Sequence, residues 1–532
     1  MLSTWKDNDY NSDCCIWQGI QCNNETGHVH MLQLPGQYPQ HLKGEISITS
    51  LLELQNMECL DLRKLTRLRY LDLSYNFDIY GEIPYQLGNI SRLSIYLDQN
   101  LLEGPIPDRF GKAMNSLEVL RLGTNKLKGT IPASLGNLCT LQELHLYNNN
   151  LSGGISSFIH NISWCNRHKF QSLNLSHDLA IGMLPNHSIL SSLRALDLSR
   201  NQLTGEIPKS IGLLHDLDYL YLNGNNLEGD ITETHFTNLS KLRVLDLSDN
   251  SFSLKVGTTW VPPFQLFRLG LASCKLGPTF PRWLQTQSQI EFLDISDAGI
   301  DDFVPEWFWN NLRSLCQMNM SCNNLKGTIP DLPIMFAGGN RNMLIRSSNK
   351  LEGGIPTFLK QADSLDLSKD KITDLKTFLC GKNITTEMRT LDLSKNQIMG
   401  QLPDCWEHLT SLRYLDLSNN KLSGSLGTLV YLEDLVLRNN KLSGELPLTL
   451  KNCTNLVKLD ASENFLSGPI PPWIGESLKQ LRVLSLRVNH FFGSVPVHIC
   501  YLRQNHLLIL SRNHLSGGIP TCLTVCLDRV IF

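Results

Sequence analysis

The stretch from Leu193 to Asp216, LRALDLSRNQLTGEIPKSIGLLHD, is 24 residues long, and Leu217 begins the same pattern again. Recurrence at so short a period constrains the fold more than any other property of this chain, because each period has to be one structural unit stacked on its neighbours. Leu196 and Leu198 alternate with Asp197 and Ser199, which predicts a strand with one face buried. Asn201 stands where the chain must turn, and its side-chain amide can both donate to and accept from backbone groups that a turn leaves unpaired. Leu203, Ile207, Ile211 and Leu214 point back towards the same core. Gly205 admits a backbone conformation closed to other residues, and Pro208 fixes φ where no ladder hydrogen bond is donated. A single coil of this kind buries too little apolar surface to offset the entropy of ordering its chain. Stacking has to supply the difference.

With Asn201 as the marker, nineteen equivalent positions can be read along the chain. Fifteen are asparagine: Asn76, Asn100, Asn125, Asn149, Asn201, Asn225, Asn250, Asn323, Asn349, Asn396, Asn420, Asn440, Asn464, Asn489 and Asn513. Asp178, Cys274, Ala298 and Asp370 replace it in the other four. Most spacings are 23 to 26 residues. Two degenerate coils are expected before Asn76, around Leu32-Gln33-Leu34 and Leu60-Asp61-Leu62. The expected organisation is an N-terminal cysteine cap over 1–31, an array of about 21 coils over 32–523, and a tail over 524–532 that does not fit the repeat.

The length of 532 residues exceeds one ordinary core, and the repeat decides for a solenoid over several domains. With 47 basic and 50 acidic side chains the charge nearly balances, which argues against nucleic acid or an acidic membrane surface as the main partner. No apolar run reaches the ~18 residues that span a bilayer. No basic-then-apolar leader follows Met1.

The unit matches the leucine-rich repeat, LxxLxLxxN/CxL. Its extension LxGxIPxxLGxL, legible at Gly81 to Pro84, Gly129 to Pro132, Gly205 to Pro208, Gly327 to Pro330 and Gly468 to Pro471, resembles the plant-specific class. The fold class expected is therefore an α/β leucine-rich-repeat solenoid, a curved superhelix with a concave parallel β-sheet. By resemblance a short second strand forms at the Ile-Pro segment. WVPPFQL (260–266), LGPTFPRWLQTQ (276–287), PEWFWN (305–310) and the N-terminal CCIWQGIQC (14–22) are not demanded by the repeat. With them the chain looks like plant leucine-rich-repeat receptor-like proteins, closest in kind to the ethylene-inducing xylanase receptor group. That resemblance implies the ligand-recognition ectodomain of a cell-surface immune receptor without a kinase. Such a receptor signals through adaptor and co-receptor receptor kinases and takes a polypeptide or glycan ligand. In that family a signal peptide and cap helix precede the LSTW-like segment and an island follows the IPTCL-like one. The chain is therefore expected to be a piece of a longer gene product. The intact relative would sit on the extracellular side of the plasma membrane; this chain alone would be secreted or mislocalised. A soluble inhibitor of a pathogen enzyme, similar to the polygalacturonase-inhibiting proteins, is the alternative, with a truncated non-functional product the third.

Fifteen cysteines is an odd number. Cys15 and Cys22 are seven apart, a spacing that suits a staple over the first coil, against the alternative of an unpaired trio with Cys14. Cys139, Cys274 and Cys453 occupy repeat phases that predict buried or half-buried thiols, and a Cys316–Cys322 bond is a weaker alternative. No CxxC occurs, and Cys500, Cys522 and Cys526 lack histidines in ligand register, so neither a metal nor a cofactor is expected. Glycosylation sequons stand at Asn24, Asn89, Asn150, Asn161, Asn174, Asn186, Asn238, Asn319, Asn383 and Asn452. Asn89, Asn161, Asn238 and Asn452 follow the Ile-Pro half of their coils, where glycans would stay off the sheet.

Outward-facing strand positions mostly carry an Asp and a Ser, as at Asp72/Ser74, Asp197/Ser199, Asp246/Ser248, Asp392/Ser394 and Asp416/Ser418, a pairing that suits solvation and local hydrogen bonding. Arg121, His145, Tyr147, Tyr219, Tyr221 and Asn223 replace that pair with large contact-forming groups and are the expected ligand face, with ordinary surface variation the plainer reading. Trp260, Trp283, Trp307 and Trp309 read as core or convex-side anchors. The exposed aspartates have nothing to raise one carboxyl above another, and GxSxG, HExxH, a phosphate-loop lysine and kinase motifs are all missing from the sequence, so no enzyme is expected.

Overall fold

A computed structural model describes residues 14–25, 29–36, 42–45, 68–84, 87, 94–113, 116–165, 169–185, 190–334, 344–346, 348–381, 387–403, 405–406, 409–424, 432–504, 506–524 and 530–531. The chain forms two compact units, residues 1–275 and 276–532.

In the first unit Ile20–Cys22 pairs antiparallel with Val29–Gln33, and every later pairing in the principal sheet is parallel. Tyr70–Asp72, Ser94–Tyr96, Val119–Arg121, Glu143–His145, Ser172–Asn174, Ala195–Asp197, Tyr219–Tyr221, Val244–Asp246 and Arg268–Gly270 follow in chain order, one three-residue strand per coil. Their middle residues form one column, from Leu71 and Ile95 through Leu120, Leu144, Leu173, Leu196, Leu220 and Leu245 to Leu269, and all are buried. Val29–Gln33 pairs directly with Tyr70–Asp72, Leu32 opposite Leu71. Of the two coils expected before Asn76, the one at Leu32 supplies this strand, and the one at Leu60 lies outside the described residues.

Between coils the solution is the same throughout. In the 24-residue unit Leu196, Leu198, Leu203, Ile207, Ile211 and Leu214 are all buried, while Leu213 faces solvent. A second sheet runs beside the first, and in this coil its strand is Gln202–Gly205. The strand therefore ends before the Ile-Pro pair, where the resemblance had placed it. Pro208 has no N–H to give a ladder; with φ −64° and ψ 135° it precedes the short 3₁₀ helix Lys209–Leu213 instead. Pro132, Pro281, Pro356, Pro447 and Pro496 stand in the same place before their own 3₁₀ turns.

The second unit repeats this plan with Phe292–Asp294, Gln317–Asn319, Leu344–Arg346, Ser364–Asp366, Thr390–Asp392, Tyr414–Asp416, Asp434–Val436, Lys458–Asp460, Val483–Ser485 and Leu507–Ile509, all parallel. Val530–Ile531 then pairs with Leu508 and Ile509, so part of the expected non-repeat tail adds a strand to the sheet. Trp283 and Trp309 are buried, and Trp307 packs edge-on against Phe280 at 5.9 Å. Trp260, in the first unit, lies against Phe236 and Phe264 at 5.7 and 6.3 Å.

The marker asparagines stand in line and bind coil to coil. Asn225 accepts the Leu203 N–H on Oδ1 at 3.1 Å and donates from Nδ2 to Leu222 O and to Leu198 O of the preceding coil, both at 3.0 Å. Asn250, Asn420 and Asn489 repeat the set. At position 274 the thiol keeps one of these bonds, Cys274 Sγ donating to Leu247 O at 3.4 Å. Ala298 keeps none and offers its backbone N–H to Asn323 Oδ1 at 3.1 Å.

Except at Asn349, the residue before the marker takes a left-handed backbone wherever its conformation is described. Gly224 does so at φ +68°, but Arg200, Asp249, Glu463 and Val488 do so with side chains attached, at φ +52° to +57°. For a β-branched residue this conformation is the most costly. Val488→Asn is expected to raise stability by about 1 kcal/mol, read as a higher denaturation midpoint at unchanged slope. An unchanged or lower midpoint would contradict that reading of the turn.

Among the cysteines, Cys15 and Cys22 are bonded, with Cα atoms 5.5 Å apart. Cys139 is also disulfide-bonded, which corrects the expectation of a thiol there. Cys380–Cys405 and Cys500–Cys522 are two further bridges that spacing had not suggested. Both join residues about one period apart, 25 and 22 residues, which brings them side by side on successive coils. Cys274, Cys316, Cys322 and Cys453 carry thiols, so Cys316 and Cys322 do not pair.

Candidate functional site

Strand register turns sequence positions into columns on the outward face of the first unit's sheet. One column runs Asp72, Tyr96, Arg121, His145, Asn174, Asp197, Tyr221, Asp246, and a flanking one runs Tyr70, Ser94, Val119, Glu143, Ser172, Ala195, Tyr219, Val244, Arg268. Where Asp and Ser occupy a strand and the residue two further on, they satisfy each other. Asp197 Oδ1 accepts from the Ser199 N–H at 3.1 Å and from its hydroxyl at 2.7 Å, and Asp72 with Ser74 does the same. Asn174 takes the role of Asp towards Ser176.

The six expected ligand-face residues fall into two groups. Arg121, His145 and Tyr147 form one with residues the sequence reading had passed over. The Tyr70 and Tyr96 rings lie 4.9 Å apart, and the Arg121 guanidinium sits 5.3 Å over the Tyr96 ring. Arg121 also pairs with Glu143, Nη2 to Oε2 2.7 Å, with both side chains about one-third exposed (36% and 32%). His145 Nε2 lies 2.9 Å from the Ser172 hydroxyl. Burial first, and the Arg121 charge second, lower the imidazole to about 4, so His145 is neutral at ordinary pH. Tyr147 lies against Gly123; a Cβ there would come within 2.3 Å of the ring, so only glycine lets this phenol lie flat on the sheet. Asp98 accepts the Gly123 N–H at 2.8 Å, and burial pushes its carboxyl up to about 6.

Tyr219, Tyr221 and Asn223 form the other group. Arg243 reaches back to Asp218 with two bonds of 2.6 Å and to the Tyr219 hydroxyl at 2.9 Å. Burial raises the Tyr221 phenol, with the Arg268 charge opposing. Three strand steps separate His145 from Tyr221, about 14 Å at the usual spacing. The strands between carry only Ser172, Asn174, Ala195 and Asp197 on that face. The first group is the denser and the more fully cross-linked. The departure from Asp/Ser that marks Arg121 also marks Tyr96, and could have found it.

The described sequons differ in what their amides do. Asn24, Asn150, Asn238 and Asn452 are exposed. Asn161, on the helix Ser156–Cys165, is away from the principal sheet, and its amide donates to Ala133 O at 2.9 Å instead of projecting into solvent. Asn319 donates from Nδ2 to Asp294 Oδ2 at 3.1 Å. Asn89, Asn186 and Asn383 lie outside the described residues. Glycopeptide mass spectrometry of the chain secreted from plant cells is expected to find glycans at the four exposed sites and none at Asn161 and Asn319. Full occupancy of Asn161 would contradict its bond to Ala133 O.

Among the described residues no three His, Cys, Asp or Glu side chains converge to hold a metal ion, and no helix is long and apolar enough to cross a membrane. Columns of side chains displayed on a stacked parallel sheet make a binding scaffold, and comparison with known proteins agrees. Leucine-rich-repeat family models match residues 116–138, 140–162, 192–214, 360–422, 431–453 and 455–477. The chain is 38% identical to the receptor-like protein EIX2 of Solanum lycopersicum over 94% of its own length and 68% of that protein's. It is 39% identical to the receptor-like protein EIX1 of the same plant, over 67% of this chain and 53% of that one. The chain belongs to the plant leucine-rich-repeat receptor-like proteins. It spans about two thirds of the first of these relatives and about half of the second. Among solved structures it is similar to the ectodomain of the Arabidopsis thaliana membrane receptor kinase GASSHO1/SCHENGEN3, bound to CASPARIAN STRIP INTEGRITY FACTOR 2, with 31% identity, a TM-score of 0.71, and 98% of this chain and 57% of that one covered. It is likewise similar to the Arabidopsis receptor kinase HAESA in complex with the peptide hormone IDA and the co-receptor SERK1, with 28% identity, a TM-score of 0.72, and 100% and 94% covered.

Proposed function

We propose that this chain is the ligand-recognition portion of a cell-surface immune receptor-like protein, and that it binds a polypeptide across Tyr96, Arg121, Glu143, His145 and Tyr147. The observation that carries this reading is the continuous stack and ion pair from Tyr70 through Tyr96 and Arg121 to Glu143, on strands where other coils keep a self-satisfied Asp and Ser. Aromatic and arginine side chains bury large areas while keeping a polar handle, and they dominate interface energies. Here they are already held by one another, so binding orders little that is not ordered beforehand. His145 stays uncharged and supplies an apolar ring edge rather than a cation. Peptide ligands and a co-receptor on HAESA support the same class of partner for this chain. The intact protein would then act on the extracellular side of the plasma membrane and pass its signal to adaptor and co-receptor kinases.

The test is biolayer interferometry of the secreted chain against microbial culture-filtrate proteins and secreted plant peptides. A true ligand is expected to lose at least about tenfold in affinity to Tyr96→Ala and to Arg121→Ala. Met183→Ser, at a residue 66% exposed on the second sheet, should leave it unchanged. Binders that ignore both face substitutions would overturn the assignment. A binder that is a hydrolase halted by the wild-type chain would point instead to a soluble inhibitor.

A further inference from the structure

The ladder position at 178 is a carboxyl, where the coils on either side place the amides of Asn149 and Asn201. An amide fills this slot with two different ends. Asn201 accepts the Ala180 N–H on Oδ1 at 3.0 Å, and its Nδ2 donates to Leu175 O at 2.7 Å and Leu198 O at 3.1 Å. Asp178 keeps the accepting half: its Oδ1 takes the Leu151 N–H at 3.0 Å. Its other oxygen, Oδ2, is buried without a hydrogen-bond partner among the described residues, in a side chain only 7% exposed.

The consequence shows in the carbonyls. Within the regular ladder each of them receives two amides, as Leu198 O receives Asn201 and Asn225. Beside Asp178 the supply falls short. Leu146 O receives Asn149 Nδ2 at 2.7 Å and Leu175 O receives Asn201 Nδ2, and the second donor each would have had from position 178 is gone. An ionised carboxylate would set a charged oxygen in a slot built for an N–H donor. A neutral carboxylic acid can donate its O–H there, as the amide does.

We propose that Asp178 is a proton-operated latch between the coils of Glu143–His145 and Ser172–Asn174, closed when its carboxyl carries a proton and loosened when the proton leaves. Burial pushes this carboxyl up to about 7, while the Leu151 and Asn149 backbone amides pull the other way, and no charged side chain contributes. The groups flanking it along the ladder are the uncharged amides of Asn149 and Asn201, and His177 and Arg200 at the adjoining left-handed positions are exposed. An unfolded aspartate titrates near ~3.9. Because the folded value is the higher one, the latch is fully closed below about pH 4, weakens as pH rises, and has given up its contribution above about pH 7.

Hydrogen exchange of the full chain at pH 5 and pH 8, corrected for the intrinsic rate, tests this at the Asn149 and Leu151 amides. Protection in the wild type is expected to fall by about 10- to 100-fold between the two. Asp178→Asn, which restores the ladder's usual residue, should be protected equally at both. The Leu227 amide, held by Asn250 Oδ1 at 3.0 Å, serves as the internal standard and should not respond. Wild-type protection that changes less than about threefold would overturn the proposal, and so would the same pH response persisting in Asp178→Asn.

Discussion

Asn225→Ala is expected to cost about 3–6 kcal/mol and to unfold its neighbourhood first. The substitution removes one acceptor and one doubly used donor at a buried position, leaving the Leu203 N–H and one bond each at Leu222 O and Leu198 O unmet. The unmet Leu203 N–H costs roughly 1–3 kcal/mol, and each of the two carbonyl bonds lost adds about 1–1.5 kcal/mol, since Leu198 O keeps Asn201 and Leu222 O keeps Asn250. No repacking can replace those bonds, because the groups are backbone and their positions are set by the two sheets. The measurement is hydrogen exchange across coils 194–250 with a denaturant series. The Leu203 amide should lose its protection well before amides near Leu120. Asn223→Ala, two residues away at a half-buried surface position, should stay within about 0.5 kcal/mol of wild type. A loss below 1 kcal/mol for Asn225→Ala would mean that the ladder is an ornament of the turn.

Removing the Cys380–Cys405 bridge as a double serine variant is expected to cost about 3–4 kcal/mol. The bond closes a loop of 25 residues, and the chain-entropy model gives that size for such a loop. It ties the end of the helix Lys376–Cys380 to the following coil. Limited proteolysis should therefore cut the variant between the strands Lys371–Asp374 and Tyr414–Asp416 under conditions that spare the wild type. Equal resistance of the two proteins would show that stacking alone holds this region.

How much of this was legible depended on how tightly a position restricts its residue. The buried leucines and the ladder asparagines are confined to almost one residue type by shape and by hydrogen bonding, so period and core could be read directly. Cys380 and Cys405 were not read as a pair because nothing in either local segment demands a bond. Only the stacking, which places residues one period apart side by side, reveals the partner. The same holds for the face. Arg121, His145 and Tyr147 stand out from the Asp/Ser pattern, but Tyr70, Glu143 and Asp98 acquire a role only once register sets them beside those three. Register likewise separates Tyr219 and Tyr221 from that group, although in sequence all six looked like one run. The second strand ends before Ile207-Pro208 because proline's missing N–H overrides the apolar pattern.

Each ladder asparagine reaches its own coil and the coil next to it, and no further. Deleting residues 193–216 would bring Asn225 into the place of Asn201, with Leu175 O waiting for its amide as it did for the residue lost. Gain or loss of one whole period is thus the smallest change of length that leaves every junction chemically identical. A lineage could lengthen or shorten its recognition surface by unequal exchange between periods without ever passing through a misfolded ancestor.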